Sequence, residues 1–378
     1  MANIEARRAR FIFFPHHLAL DHNGARRAEH ITGLGDKDGV DAAATSCSAG
    51  SMSSASWPAS PHADDRRAAR GIGRRELIEG AGLSWKDQPD RTRTAARRHT
   101  PRVSARPPGA TTGAVEVEGS HLSYEQAGRG SDVVLVHGSM LDRRMWDDQF
   151  VSLAAHFRLL RYDLRGYGRS PCGNAEFAHR DDLAELLERL GVEHAFVVAL
   201  SMGAAVAVDF ALTHPERVRA LVLVSSGLSG YRMPDEYISG RQPFHDAARE
   251  RQLGRAMDLF LDFEPMRTAA SLPALRARLE EMIGEHTWPL HQEGVPRPRP
   301  LSPPAAGRLN EINVPTLVVT GALDMPAIRQ QGEFIHAGIR GSESVVIAGA
   351  GHMVNMERPE EFDRAVLDFL GRVEGGAV

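Results

Sequence analysis

Val197-Val198-Ala199-Leu200-Ser201-Met202-Gly203-Ala204-Ala205 decides the fold of this chain. A short Val-rich run ends in a serine, and an Ala-rich stretch with helical composition follows at once. β-Branched residues favour strands and Ala favours helices, so the serine falls on a strand-to-helix junction. A turn this sharp lifts the side chain at its apex clear of both elements. Small residues two positions to either side, Ala199 and Gly203, let neighbouring backbones close around the turn. Glycine is the commoner residue at the first of these positions, and Ala199 adds one methyl group there.

Four further stretches give the junction its context. Residues 132–140 read as a buried strand that breaks into the loop His137-Gly138-Ser139-Met140. Residues 161–170 follow as Arg-Tyr-Asp-Leu-Arg-Gly-Tyr-Gly-Arg-Ser. Residues 315–324 form another apolar strand closed by the carboxylate of Asp324. The run Gly349-Ala350-Gly351-His352 follows a strand-like 344–347, and Glu357-Arg358-Pro359 leads into a last helix. Serine, then acid, then histidine is the chain order of the α/β-hydrolase triad, with the serine on a nucleophile elbow. Across residues 114–370 the chain resembles the α/β-hydrolase superfamily. The likeness is to its lid-bearing serine carboxylesterase, enol-lactonase and cofactor-free haloperoxidase-like branch. It implies an α/β-hydrolase fold: an eight-stranded, mostly parallel sheet with helices on both faces and a helical lid after strand 6.

The patterning agrees. Strand-like runs fall at 115–118, 122–126, 133–136, 159–162, 196–200, 220–225, 316–320 and 343–347, the first two as a hairpin near Gly119. Helical patterns at 146–156, 178–190, 202–213, 328–336 and 360–373 sit between most of them. Strands alternating with helices argue a parallel sheet covered on both faces. The alternation is interrupted between Ser226 and Arg308, where two helix-like stretches, 244–262 and 272–286, precede a proline-rich exit. The expected organisation is a hydrolase core over 113–226 and 309–378, interrupted by the lid at 227–308. Residues 1–112 lack apolar periodicity and are expected to be a disordered or non-native N-terminal extension.

Composition narrows the classes. The 378 residues are 42% hydrophobic and 25% charged, and no run is long and apolar enough to span a membrane. Residues 1–112 carry 18 basic and 12 acidic residues, net +6, while the rest carries 27 and 37, net −10. An acidic body argues against nucleic-acid binding. Two cysteines, Cys47 and Cys172, make no secreted-type disulfide framework and are expected as free thiols. Arg74-Arg75-Glu76-Leu77-Ile78 resembles the start of a twin-arginine signal, but Glu79 interrupts the apolar stretch such a signal needs. The expected location is therefore the cytoplasm. No metal-ligand spacing or complete dinucleotide fingerprint occurs, so no metal and no cofactor are expected.

A serine hydroxyl needs a base to take its proton during attack. His352 fills that role, with Asp324 fixing its tautomer and stabilising the imidazolium. Strand 6 ends in Ser225-Ser226, which cannot serve as the acid. By position, the backbone N–H groups of Ser139 and Met202 form the oxyanion hole. His137 and Asp163 read as scaffold residues bracing nearby loops. Met140, Trp146, Met257 and Phe260 are the expected pocket residues. The chain thus reads as a cofactor-independent serine hydrolase cleaving a small or medium carboxylic ester through an acyl-enzyme on Ser201. The alternative is a lactone or C–C bond hydrolase with the same triad, and a third reading is a non-catalytic ligand receptor on this fold. The expected partner is a small-molecule ester or lactone, with no nucleic acid and no membrane.

Overall fold

β1 (Thr111–Val117) and β2 (Ser120–Ala127) pair antiparallel about Glu118-Gly119, where Gly119 takes φ +70°. A residue with a Cβ is disfavoured in that turn. The computed structural model describes residues 106–285 and 288–376, all within a compact unit spanning Arg91–Val378. The first described strand, β1, starts at Thr111, two residues ahead of the expected boundary at 113. The remaining expectations for the N-terminal extension, including Cys47 and Arg74 to Ile78, lie outside the described residues.

Six more strands follow: β3 (Asp132–Val136), β4 (Arg158–Tyr162), β5 (Ala195–Leu200), β6 (Val218–Val224), β7 (Thr316–Gly321) and β8 (Glu343–Ile347). They build one sheet in the order β1-β2-β4-β3-β5-β6-β7-β8. From β4 to β8 all neighbours are parallel, and β2 runs antiparallel to both β1 and β4. Every residue of β5 and β7 is buried, as a parallel strand covered on both faces requires. The edge strand β8 alternates instead. The chain passes from β3 to β4 on one side, then to β5 on the other. At such a reversal the loops leaving the C-terminal strand ends part and leave a crevice.

The body helices are α1 (Asp147–Ser152), α2 (His179–Arg189) and α3 (Met202–Thr213). Between β6 and β7 the insertion carries α4 (Asp235–Arg249), α5 (Leu253–Asp262), α6 (Glu264–Ala270) and α7 (Pro273–Glu285). The chain closes with α8 (Pro326–Gly338), α9 (Val354–Glu357) and α10 (Pro359–Glu374).

Among the described residues the insertion holds four α-helices where two are expected. The stretch expected as one helix over 244–262 is split by a Schellman stop. Gln252 N–H donates to Ala247 O and Arg251 N–H to Ala248 O, with Arg251 left-handed at φ +60°. Arginine rather than glycine occupies that position, so the usual punctuation is missing from the sequence. The expected helix over 146–156 is likewise only α1, flanked by 3-10 turns at Arg143–Trp146 and Leu153–Ala155.

Candidate active site

Ser201 sits at the apex between β5 and α3 with φ +56° and ψ −117°, a backbone region costly for any residue with a Cβ. Backbone hydrogen bonds hold it there. Its N–H donates to Val224 O at 2.9 Å, and its carbonyl accepts from Gly227 at 2.8 Å and Ala204 at 3.0 Å. A Cβ on Gly203 would stand 2.5 Å from Val136 O and 2.6 Å from His137 O. Only glycine lets the first turn of α3 rest on the end of β3. Ala199, by contrast, is fully buried in the sheet between Val136 and Leu223, so its extra methyl fits the core.

The serine hydroxyl lies 3.0 Å from His352 Nε2, and His352 Nδ1 lies 3.0 Å from Asp324 Oδ2. Asp324 follows β7 and His352 follows β8, and their loops are joined through the backbone. Ala322 donates to Ile347 O at 3.0 Å and Leu323 to Ala350 O at 2.8 Å. The other Asp324 oxygen accepts from the Met325 amide at 2.8 Å. Asp324 does not cap α8, which starts without a side-chain cap. Both of its oxygens serve the histidine and its own loop.

Burial pulls the His352 imidazolium down, but the charge and hydrogen bond of Asp324, with Glu357 beyond, outweigh it and hold its pKa above the ordinary value of 6.5. Glu357 is buried and accepts from the Gly351 amide at 2.5 Å and the Met353 amide at 3.0 Å. It thereby clamps the two residues flanking His352. Sequence reading missed this role, because Glu357 looks like an ordinary acidic residue entering a helix.

The Ser139 and Met202 amides make no hydrogen bond to another described residue, and both residues line the same cavity as Ser201. His137 fixes the loop carrying Ser139. Its Nδ1 hydrogen-bonds Gly138 O at 2.8 Å, and its Nε2 accepts from the Leu164 amide at 2.9 Å. The accepting Nε2 assigns the neutral tautomer protonated at Nδ1, and full burial lowers the histidine's pKa. Asp163 braces the same loop, accepting from the amides of Arg143 at 2.9 Å and Arg169 at 2.8 Å and pairing with the Arg143 guanidinium.

The cavity holds about 230 Å³. Ser139, Ser201, Met202 and His352 line it, as do Tyr237, Arg241 and Phe244 of α4, Phe260 of α5, and Phe263 and Met266. Of the four expected pocket residues, Phe260 lines this space. Met140, Trp146 and Met257 do not, which corrects the sequence reading. Met140 is 2% exposed and turned into the core at φ +64°. Trp146 is fully buried against Phe362, with ring centroids 6.1 Å apart. Met257 packs on the core from α5. The wall residues of α4 escape an apolar-periodicity search because Arg241 stands among them, although 237, 241 and 244 keep helical spacing. Among the described residues no three His, Cys, Asp or Glu are placed to hold a metal ion, and no helix is long and apolar enough to cross a membrane. Cys172 is a buried free thiol.

Comparison with known proteins places this geometry among relatives. A family model described as "Alpha/beta hydrolase family" matches residues 133–365. A 2-hydroxy-6-oxononadienedioate/2-hydroxy-6-oxononatrienedioate hydrolase of Paraburkholderia xenovorans is 31% identical, covering 66% of this chain and 90% of the relative. A pimeloyl-[acyl-carrier protein] methyl ester esterase of Yersinia enterocolitica is also 31% identical, covering 66% and 96%. Among solved structures, the enol-lactonase from Burkholderia xenovorans LB400 superposes with a TM-score of 0.58 at 25% identity, covering 68% of this chain and all of that one. A thermophilic esterase from Thermogutta terrifontis gives 0.59 at 29% identity, covering 70% and 99%.

Proposed function

The chain belongs to the alpha/beta hydrolase family, and from that premise we propose that it cleaves a small or medium carboxylic ester through an acyl-enzyme on Ser201. The observation that carries this reading is the hydrogen-bonded series Ser201–His352–Asp324, with both links at 3.0 Å. Ser201 Oγ attacks the ester carbonyl while its proton passes to His352 Nε2. The carbonyl oxygen becomes an oxyanion, received by the amides of Ser139 and Met202, two residues that line the cavity with Ser201. Collapse breaks the ester C–O bond, and the departing alkoxide takes the proton from His352. A water molecule then attacks the acyl carbonyl, giving its proton to the same nitrogen. Expulsion of Ser201 Oγ, reprotonated by His352, releases the acid.

Lactone or C–C bond cleavage is the second reading. A relative named as a 2-hydroxy-6-oxononadienedioate/2-hydroxy-6-oxononatrienedioate hydrolase and a structure named as an enol-lactonase favour it, and it would use the same side chains. The deciding experiment is pre-steady-state release of nitrophenol from p-nitrophenyl acetate and butyrate, in the native protein and in Ser201→Ala. A stoichiometric burst lost in the variant supports the acyl-enzyme. Equal activity in both proteins would remove Ser201 from the role. Silence in both would pass the leading place to the lactone and C–C readings.

A further inference from the structure

Tyr237, Arg241 and Phe244 fall at i, i+4 and i+7 of α4 and so share one helix face, which forms part of the cavity wall. An arginine on an aromatic stripe loses hydration that its charge would otherwise keep. Among the described residues no carboxylate pairs with it. Its partner is Tyr237, whose ring centroid lies 5.6 Å from the guanidinium carbon. A guanidinium offers five N–H donors in a planar fork, and one phenol leaves most of them unused.

The rest of the wall does not oppose this charge. His352 is the other basic side chain lining the cavity, and no carboxylate lines it. Asp324 is paired with His352 at 3.0 Å, its side chain fully buried, and its charge also reaches the Tyr237 hydroxyl. Arg297, on the exit from the insertion, adds a second positive charge. It and Arg241 both act on the buried Tyr167 hydroxyl, which itself donates to Met202 Sδ at 3.5 Å.

The geometry points to a substrate whose acyl chain ends in a carboxylate, received by Arg241 in the cavity it lines together with Ser201. This rests on the reading of Ser201 as the acylated residue. The acyl group is the part that stays in the cavity through both half-reactions, so a fixed charge on the wall is best used there. Planar guanidinium–carboxylate pairing also orients the chain, which a purely aromatic wall cannot do.

The test compares adipic acid monomethyl ester with methyl hexanoate, which has the same chain length without the carboxylate. Binding is measured by calorimetry in Ser201→Ala protein, where the proposed chemistry is blocked. The half-ester is expected to bind about 10-fold tighter, the scale of a charge-assisted hydrogen bond that stays partly wet. Arg241→Gln in the same background should bring that ratio close to one, and Arg241→Lys should keep part of it. High salt should shrink the ratio while Arg241 is intact. Equal binding of the two esters, or a preference that survives Arg241→Gln, would overturn the proposal. Should Arg241→Gln fail to fold, the salt series and Arg241→Lys still decide. Methanol release by the native protein is scored separately. Its absence would sink ester hydrolysis while leaving the binding ratio to judge Arg241.

Discussion

Asp324→Asn tests the proposed chemistry at a single atom. Asp324 presents one oxygen to His352 Nδ1 at 3.0 Å and the other to the Met325 amide at 2.8 Å. Asparagine is nearly isosteric, and its one oxygen will stay with Met325 because that amide can only donate. Its NH2 then faces His352 Nδ1, which must accept, so the ring proton moves to Nε2. Nε2–H now points at Ser201 Oγ and cannot take a proton from it. The loss expected from a wrong tautomer is about 10³- to 10⁴-fold in kcat, equivalent to roughly 4–5 kcal/mol of barrier. The pH profile supplies an independent readout. His352 must be neutral to act as base, so native kcat/KM should fall as pH drops through its pKa, which lies above 6.5. Removing the carboxylate leaves burial as the stronger influence, and the limb should move to lower pH. Steady-state hydrolysis of p-nitrophenyl butyrate from pH 5 to 10 measures both effects. A variant within tenfold of native activity, with its acidic limb unmoved, would refute the reasoning.

Gly203→Ala places a methyl 2.5 Å from Val136 O and 2.6 Å from His137 O, and neither backbone oxygen can swing away. It should lower unfolding free energy by about 1–3 kcal/mol, visible as a lower midpoint in urea. Glu357→Gln keeps one acceptor oxygen where two amides, Gly351 and Met353, now donate. One buried amide goes unmet at a cost of about 1–3 kcal/mol. The acidic limb of kcat/KM should move down by less than in Asp324→Asn, because Glu357 is the weaker of the charges raising His352. His137→Phe strands the Leu164 amide, which has Nε2 as its acceptor. It should destabilise the fold by a similar amount in urea and lower kcat through the displaced Ser139.

The strand-and-turn frame was legible because its signals are local. β5 and β7 are continuous apolar runs, and the Ser201 junction lies between a Val-rich strand and an Ala-rich helix with Gly203 at the tight contact. Parallel strands all point their C-terminal ends one way, so residues following β3, β5, β7 and β8 meet without any further assumption. The insertion was less legible for two physical reasons. Arg251 closes α4 in a conformation usually advertised by glycine, and α6 is a seven-residue helix too short to show a period. The pocket suffered in another way. Trp146 and Met140 are large and sit near the Ser139 loop in sequence, but the loop turns them into the core. Arg241 gives no apolar signal and becomes visible only when α4 sets it between Tyr237 and Phe244.

Two sets of cavity-lining residues are held by different forces, and this separates what they can decide. Around Ser201 and His352, the positions are fixed by directional bonds to backbone: Val224, Gly227 and Ala204 for the serine, and Glu357 on Gly351 and Met353 for the histidine. Such bonds weaken steeply with misalignment, so this set tolerates little movement and suits a fixed sequence of proton transfers. The cavity is also lined by Phe244, Phe260 and Phe263, whose rings pack at 5.3 to 5.7 Å between centroids. Aromatic packing is broad in geometry and tolerant of repacking. The strand ends can therefore keep the reaction while the helices of the insertion alter its substrate. Arg241 is the directional group in the tolerant set, and that is why it, rather than any of the rings, carries the claim about what the cavity selects.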